Sequence, residues 1–423
     1  MTDDTIEVRA FDPHKIQPFD AILNLPHGLG VIQNYIYGRM IYPSKSNAGV
    51  AAMAFLHTMA SGIFSANIGQ GDLALNEMYM VVAPTGFGKE DLRKAIRDLI
   101  SATKDAFNPL LLPKVIHSLP ASMQGLHDQL VDANGIACFM ADEFGEWLAD
   151  TKREGHKQQC VGYLMQAYTS PFSTVSVPYS SARKDKTNEL FSPRITVFAT
   201  STWERMGDVM TASQGNSGAY NRFVIHIGEQ HQLDKKYEVK MEKPSGEIVE
   251  LLQWIGKHEG GTPITFDAEC KDYYRTFDQY RVEKLKFNDP ALAGRLSEQA
   301  IRLAAVIALS DKRLIVRKSD LDIAFGIRLG MYHRARAAVD RDGLLSNMSD
   351  DNLAVKQITD MFKRRSAWRR SDLVTHSRAY ERLSVPQKAS VCKQLEAEGV
   401  FIPDPEKRGW LLGLNPVMTG QSK

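Results

Sequence analysis

Between Glu77 and Gly228 the sequence keeps repeating one texture: a short, almost unbroken apolar run followed by an amphipathic stretch. The apolar runs are EMYMVVA, IACFMADE, RITVFAT and FVIHIG, and helices are predicted between them from about Lys89 to Ser101 and around Val161 to Tyr168. Apolar runs without alternation suit strands buried on both faces. Strands joined by helices build a parallel sheet, so the expected class is α/β with a nucleotide-binding type of core. A chain of 423 residues with 43% hydrophobic and 24% charged content has room for several domains and a sizeable core.

The flanks of this region read differently. Residues 1–70 are an extended lead-in followed by helices, the clearest from Asn47 to Phe64. Residues 71–260 hold the sheet and end in a polar connector that contains Lys235, Lys236, Lys240 and Pro244. Residues 261–342 are helical in texture, with Ser319 placed to cap the last long helix. RDGLLSNMSDDN is a linker by composition, and residues 343–423 give three helices and a terminal hairpin, the order of a winged helix-turn-helix. The opening MTDDTIEVRA is acidic and has no apolar run, and AGVAAMAFLHTMASGIFSA is interrupted by His57, Thr58 and Ser61, so a cytoplasmic protein without membrane contact is expected. Cys138, Cys160, Cys270 and Cys392 form no CxxC pair, and His156 with Cys160 makes only half a metal site.

The segment VVAPTGFGKEDLRKAI, residues 81–96, carries the sharpest chemical signal. It resembles G-x-x-x-x-G-K-[ST], with Ala83 in place of the first glycine and Glu90 in place of the hydroxyl residue. A strand precedes it and a helix follows. Pro84, Thr85, Gly86, Phe87 and Gly88 can wrap a phosphate at the helix N-terminus, with Lys89 supplying charge to the β and γ phosphates of ATP. Glu90 can ligate Mg2+, a hard cation that takes carboxylates, although its charge is unfavourable beside a γ phosphate unless a cation compensates. Further on, Asp142 and Glu143 end an apolar run. Asp142 can hold the magnesium shell and Glu143 can orient the attacking water, while the plainer reading is a pair of acids opening a helix. Ser201 and Thr202 end the next strand, where Thr202 could sense the γ phosphate. Arg222 stands at the mouth of the last strand, placed either as a surface ion-pair residue or to reach a neighbouring subunit's phosphate.

The series APTGFGKE, SLPASMQGLHDQL, FMADEFGEWL, SPRITVFATSTWE and SGAYNRFVIHIG resembles the ATPase module of the phage and plasmid primase-helicase-like P-loop family of replication proteins. The likeness covers roughly residues 10 to 340 and is strongest from Met78 to Gly228. It implies an AAA+/RecA-like sheet, an N-terminal helical region, ATP and Mg2+ as cofactors, and a bacterial host cell. RLSEQAIRLAAVIALSDKRLIVRKSDLDIAFGI is similar to the helical lid of AAA+ ATPases such as the minichromosome-maintenance helicases, which implies a second sensor at Arg295 or Arg302. An arginine acting in trans implies a homo-oligomer, and the resemblance implies a hexameric ring.

A net charge of +2 does not announce a nucleic-acid binder, so DNA contact has to come from local patches. One lies in SVPYSSARKDKTNELFSPRI, whose basic tip of Arg183, Lys184 and Lys186 occupies the place of a channel-facing hairpin in ring helicases. The other is C-terminal: Arg369 and Arg370, with Gln387, Lys388 and Lys393 on a recognition-type helix, opposed by Glu396 and Glu398. The expectation is an ATP-driven translocase on single-stranded or forked DNA, a replicative helicase. The alternatives are an ATP-switch loader or initiator, and a DNA-binding scaffold with an inactive nucleotide site. No zinc-ribbon cysteines or acidic cluster precede the loop, so priming would fall to a separate primase or another replication protein.

Overall fold

The structure, a computed structural model, describes residues 19–69, 71–117, 119–153, 155–178, 186–202, 220–229, 234–239, 242–286, 289–342, 350–365 and 367–413. They fall into two compact units, one running up to Arg336 and one from Ala337 onward. The first unit opens with α1 (His27–Arg39) and α2 (Lys45–Ser61). Ser44 caps α2 by accepting from the Asn47 amide at 3.1 Å. Every residue from Ser46 to Ser61 is buried, which explains the small, apolar composition: a helix with no polar face has to be enclosed on all sides. The helix ends three residues before the expected Phe64, which belongs instead to β1 (Phe64–Ala66), followed by β2 (Leu73–Ala74).

The sheet region follows with β3 (Met78–Val82), α3 (Lys89–Thr103), β4 (Lys114–Ile116), α4 (Met123–Asp132), β5 (Ile136–Ala141), α5 (Phe144–Arg153) and α6 (Gly155–Thr169). A hairpin of β6 (Thr174–Ser176) and β7 (Glu189–Phe191) leads to β8 (Arg194–Ser201), and β9 (Phe223–Ile227) is the last strand of the region. Five of these strands form one parallel sheet in the order β4-β5-β8-β3-β9. The fold is therefore α/β. β3, β5 and β9 are buried along their whole length, because α2, α5 and α6 pack against the sheet. The order has a chemical consequence: β8 lies between β3 and β5, so the loop after β3, the end of β8 and the acids after β5 share one edge.

After β9 come α7 (Gly246–Gly256), β10 (Thr262–Phe266), α8 (Ala268–Tyr280), α9 (Pro290–Ala293), α10 (Leu296–Ser310), β11 (Ile315–Val316) and α11 (Lys318–Asp342). A second sheet, in the order β11-β10-β1-β2, joins strands from segments read in the sequence as separate regions. Ser319 is not the cap of α11. The helix begins a residue earlier, where the Arg317 carbonyl accepts from Asp320 and Leu321 and the Asp320 side chain accepts from the Arg317 amide at 2.8 Å.

The second unit contains α12 (Asp350–Arg364), β12 (Ala367–Arg369), α13 (Arg370–His376), α14 (Arg378–Arg382), α15 (Val385–Ala397), β13 (Phe401–Pro403) and β14 (Trp410–Gly413). Its strands form an antiparallel sheet in the order β12-β14-β13, closed over a core that includes Ile358, Phe362, Leu373, Leu395 and Phe401. Two features differ from the expected three helices and a hairpin. β12 adds a strand, and the middle helix is divided at Ser377, which caps α14 by accepting from the Tyr380 amide at 3.2 Å. Among the described residues, no helix is long and apolar enough to cross a membrane.

Candidate functional site

The loop between β3 and α3 sits at the C-terminal edge of the parallel sheet. Gly86 and Gly88 hold φ of +84° and +72°, a region that costs a residue with a Cβ about 1 kcal/mol or more. Nothing lies within 4 Å of a Cβ placed on Gly86, whereas one on Gly88 would stand 3.1 Å from the Tyr42 carbonyl. The loop thus faces open space on one side and the chain after α1 on the other. That chain is tied to α3, since the Ile41 amide donates to Asp91 at 2.8 Å. Pro84 and Phe87 are half-buried and Thr85 is exposed. Lys89, the first residue of α3, turns back over the strand ends and donates to the carbonyls of Ala83 at 3.0 Å and Ser201 at 3.2 Å.

Asp142 follows β5 and is the most connected side chain at this edge. One carboxylate oxygen accepts from the Thr200 hydroxyl at 2.7 Å and from the Glu143 amide at 3.0 Å, and the other accepts from Arg93 at 2.6 Å. Burial pushes this carboxyl up, but the Thr200 hydroxyl, the Arg93 guanidinium and the Glu143 amide outweigh it and hold its pKa below the ordinary value. Glu90 is paired with the same Arg93. Glu143 accepts the first bonds of α5, from the amides of Glu146 at 2.8 Å and Trp147 at 3.3 Å, and its own φ is +45°, strained for a residue with a side chain. Glu143 thus opens α5, as in the plainer reading, and its backbone amide is tied to the Asp142 carboxylate.

Thr202 stands at the C-terminal edge of the sheet. It lies one residue past the end of β8, and the hydroxyl that touches Asp142 belongs to Thr200. Thr200 lies inside the apolar run RITVFAT, where no pattern marks it as the residue that meets the acid. Arg93 was also missed, although it stands at i+3 from Glu90 and i+4 from Lys89 on one helix, a spacing that puts all three on neighbouring turns.

The remaining arginines gather at the opposite edge. Arg222 precedes β9, and Phe223 pairs with Met78 at the start of β3, so Arg222 is separated from the loop by the length of β3, about 16 Å. Burial, and then the nearby Arg295 charge, lower its pKa. Arg295 donates to Glu298 at 2.9 Å. Arg302 does not reach the loop and cannot act as a sensor within its own chain. It is 3% exposed, donates to the Ala74 carbonyl at 3.0 Å, bonds Tyr168, and lies 3.6 Å from the buried Glu77. Helix register alone could not separate a lid arginine that faces solvent from one that faces the core.

Of the first basic patch, Arg183 and Lys184 lie outside the described residues, while Lys186 is exposed and pairs with Asp128 on α4 at 2.7 Å. In the second unit Arg369 is exposed on β12 and lies over the Trp410 ring, and the Arg370 amide donates to the Gly409 carbonyl at 2.8 Å. Lys388 donates to the Glu381 carbonyl at 2.9 Å, and Gln387 bonds Ser384 at the start of α15. The structure therefore spreads the C-terminal basic residues over several elements. Among the described residues no group of three or more His, Cys, Asp or Glu side chains is arranged to hold a metal. The chain matches no protein-family model, and no curated protein matches it.

Proposed function

We propose that this protein is an ATP-hydrolysing, ring-forming DNA translocase, most simply a replicative helicase of a phage or other mobile element. The observation that carries the reading is the convergence of Lys89, Asp142 and Thr200 at one edge of a parallel sheet, with a glycine loop opening a helix beside them. The residues fit a magnesium nucleotide. The left-handed glycines leave the loop open at Gly86, the N-terminus of α3 favours an anion, and Asp142 is held ionised by its neighbours. Glu90 and Asp142 supply the hard oxygen ligands that magnesium takes. The metal, when bound, would neutralise charge on the phosphates. Lys89 would exchange its two carbonyl partners for phosphate oxygens, Glu143 would orient the water, and Thr200 would keep Asp142 aligned.

Arg222 can serve such a site only from another subunit, because its own loop is at the far edge of the sheet. That position supports an oligomer with sites between protomers, and the resemblance supports six. In the same reading residues 261–342 form a lid over the ATPase core, and Arg295, beside Arg222 at the same edge, can act as a second sensor only toward another subunit's site. The second unit is a winged helix that offers Arg369 and Arg370 to phosphates. The protein would act in the host cytoplasm, with priming left to a partner.

The test is DNA-stimulated phosphate release and unwinding of a forked duplex. Both should vanish in Lys89→Ala and in Arg222→Ala, and mixing the two variants should restore part of the activity, since each supplies the half-site the other lacks. Activity retained in Lys89→Ala would defeat the proposal. A second reading, an ATP-dependent loader or initiator that assembles without unwinding, uses the same site, with Glu90 standing where the phosphate-loop pattern has a hydroxyl residue. Nucleotide-dependent assembly on DNA without strand separation would select it.

A further inference from the structure

Two carboxylates converge on one nitrogen at the candidate site. Arg93 Nη2 donates to Asp142 at 2.6 Å and also to Glu90. The Arg93 side chain is 15% exposed, while those of Glu90 and Asp142 are 63% and 49% exposed, so the arginine is seated and the acids around it remain open to solvent. These are the two carboxylates that the proposed function assigns to magnesium, and a divalent cation with oxygen ligands at about 2.0–2.1 Å needs the same position between them. Lys89 donates to the carbonyls of Ala83 and Ser201.

We infer that Arg93 is a built-in counter-ion that occupies the metal position until a polyphosphate arrives. A free divalent ion has to break two charge-assisted hydrogen bonds and leave a guanidinium without a partner. A metal that comes with a polyphosphate meets a different balance, because the phosphates give the displaced guanidinium a new anionic partner. Room exists for the move: a cleft of about 70 Å³ lies beside the pair, lined by Glu90, Arg93, Lys94, Arg97, His117 and Met140. The device makes the site selective for metal with nucleotide over metal alone. It also accounts for Glu90 at a position where the phosphate-loop pattern has a hydroxyl, since the extra negative charge is matched by Arg93. The inference rests on the proposed function only for the identity of the polyphosphate.

The experiment is a Mn2+ titration of the full chain without nucleotide, read by electron paramagnetic resonance. Wild type should bind Mn2+ at least tenfold more weakly than Arg93→Ala and Arg93→Gln, and the gain should disappear in the doubles R93A/D142N and R93Q/E90Q. The glutamine variant keeps the length of the side chain, and circular dichroism melting identifies any variant that has lost its fold. Equal Mn2+ affinity in wild type and both single variants overturns the inference, as does a gain that survives the double substitutions. A parallel titration with ATP separates the two claims. If wild type binds no ATP with any metal, the nucleotide reading falls, while the Mn2+ comparison still decides the role of Arg93.

Discussion

β3 ends in two polar networks of opposite character. At its start, Glu77 is fully buried with Arg302 and Arg328 at 3.6 Å and 3.9 Å; Tyr168 donates to one of its carboxylate oxygens and Arg328 donates to Tyr79. At its end, Lys89 leans on carbonyls and Arg93 on two solvent-facing acids. Both networks use arginine against carboxylate, but only the second can exchange partners without unpairing a buried charge. A sealed ion network ties helices to the sheet and specifies how they pack, whereas an open one has bonds it can give to a ligand. Arg302 belongs to the first kind, and its buried partners make it a structural residue rather than the sensor its helix register suggested.

The comparison breaks most sharply at Glu77. Glu77→Ala leaves two buried guanidinium groups underpaired and should cost about 3–5 kcal/mol in denaturant unfolding; a loss below about 1 kcal/mol would mean that the buried network is not holding the helices. Lys89→Ala should do the reverse. Nucleotide affinity should fall at least about 100-fold, or about 2.7 kcal/mol, in isothermal calorimetry. The unfolding midpoint should stay near that of wild type, because the lysine is only half-buried and its removal leaves no buried charge unpaired.

Acidification probes whether the open edge is open across its width. His226 on β9 is buried against Ser46 and Asn47, and burial brings its pKa down to about 4. The unfolded chain therefore takes up this proton first, near pH 6.5, so stability is complete above that pH and is lost as pH falls toward 4. Glu229 beside it also has a lowered pKa, held by the Ser44 and Ser46 hydroxyls against the effect of burial, and it acts in the same direction. Stability should drop by about 2 kcal/mol between pH 7 and pH 5, and His226→Gln should flatten that slope in urea melts at each pH. An unchanged slope in the variant would assign the acid sensitivity elsewhere. Thr200→Val carries the smallest effect. It removes the hydroxyl from Asp142, should cost about 1 kcal/mol in stability, and should raise the metal concentration needed for half-maximal ATP hydrolysis.

The sheet was legible because strands buried on both faces leave unbroken apolar runs, and β3, β5, β8 and β9 fall on the four that stand out. β4 was not, since three residues between a proline and a histidine carry too little pattern. The loop, Lys89 and Asp142 could be read from type and spacing. Thr200 could not, because the direction of a side chain at a strand end depends on a register that only the neighbouring strand sets. Arg93 had a usable signal in its helical spacing from Glu90, but a lone pair of that kind is common on exposed helices. The edge at which Arg295 and Arg302 would land depended on packing that no helix pattern contains.

The most direct test of the central claim is an electron cryomicroscopy map of the full chain with a non-hydrolysable ATP analogue, magnesium and single-stranded DNA. The account predicts a closed ring with nucleotide density over residues 84–89 and Arg222 of the adjoining subunit against the terminal phosphate. Monomers with an empty loop, or a ring in which Arg222 faces solvent, would contradict it.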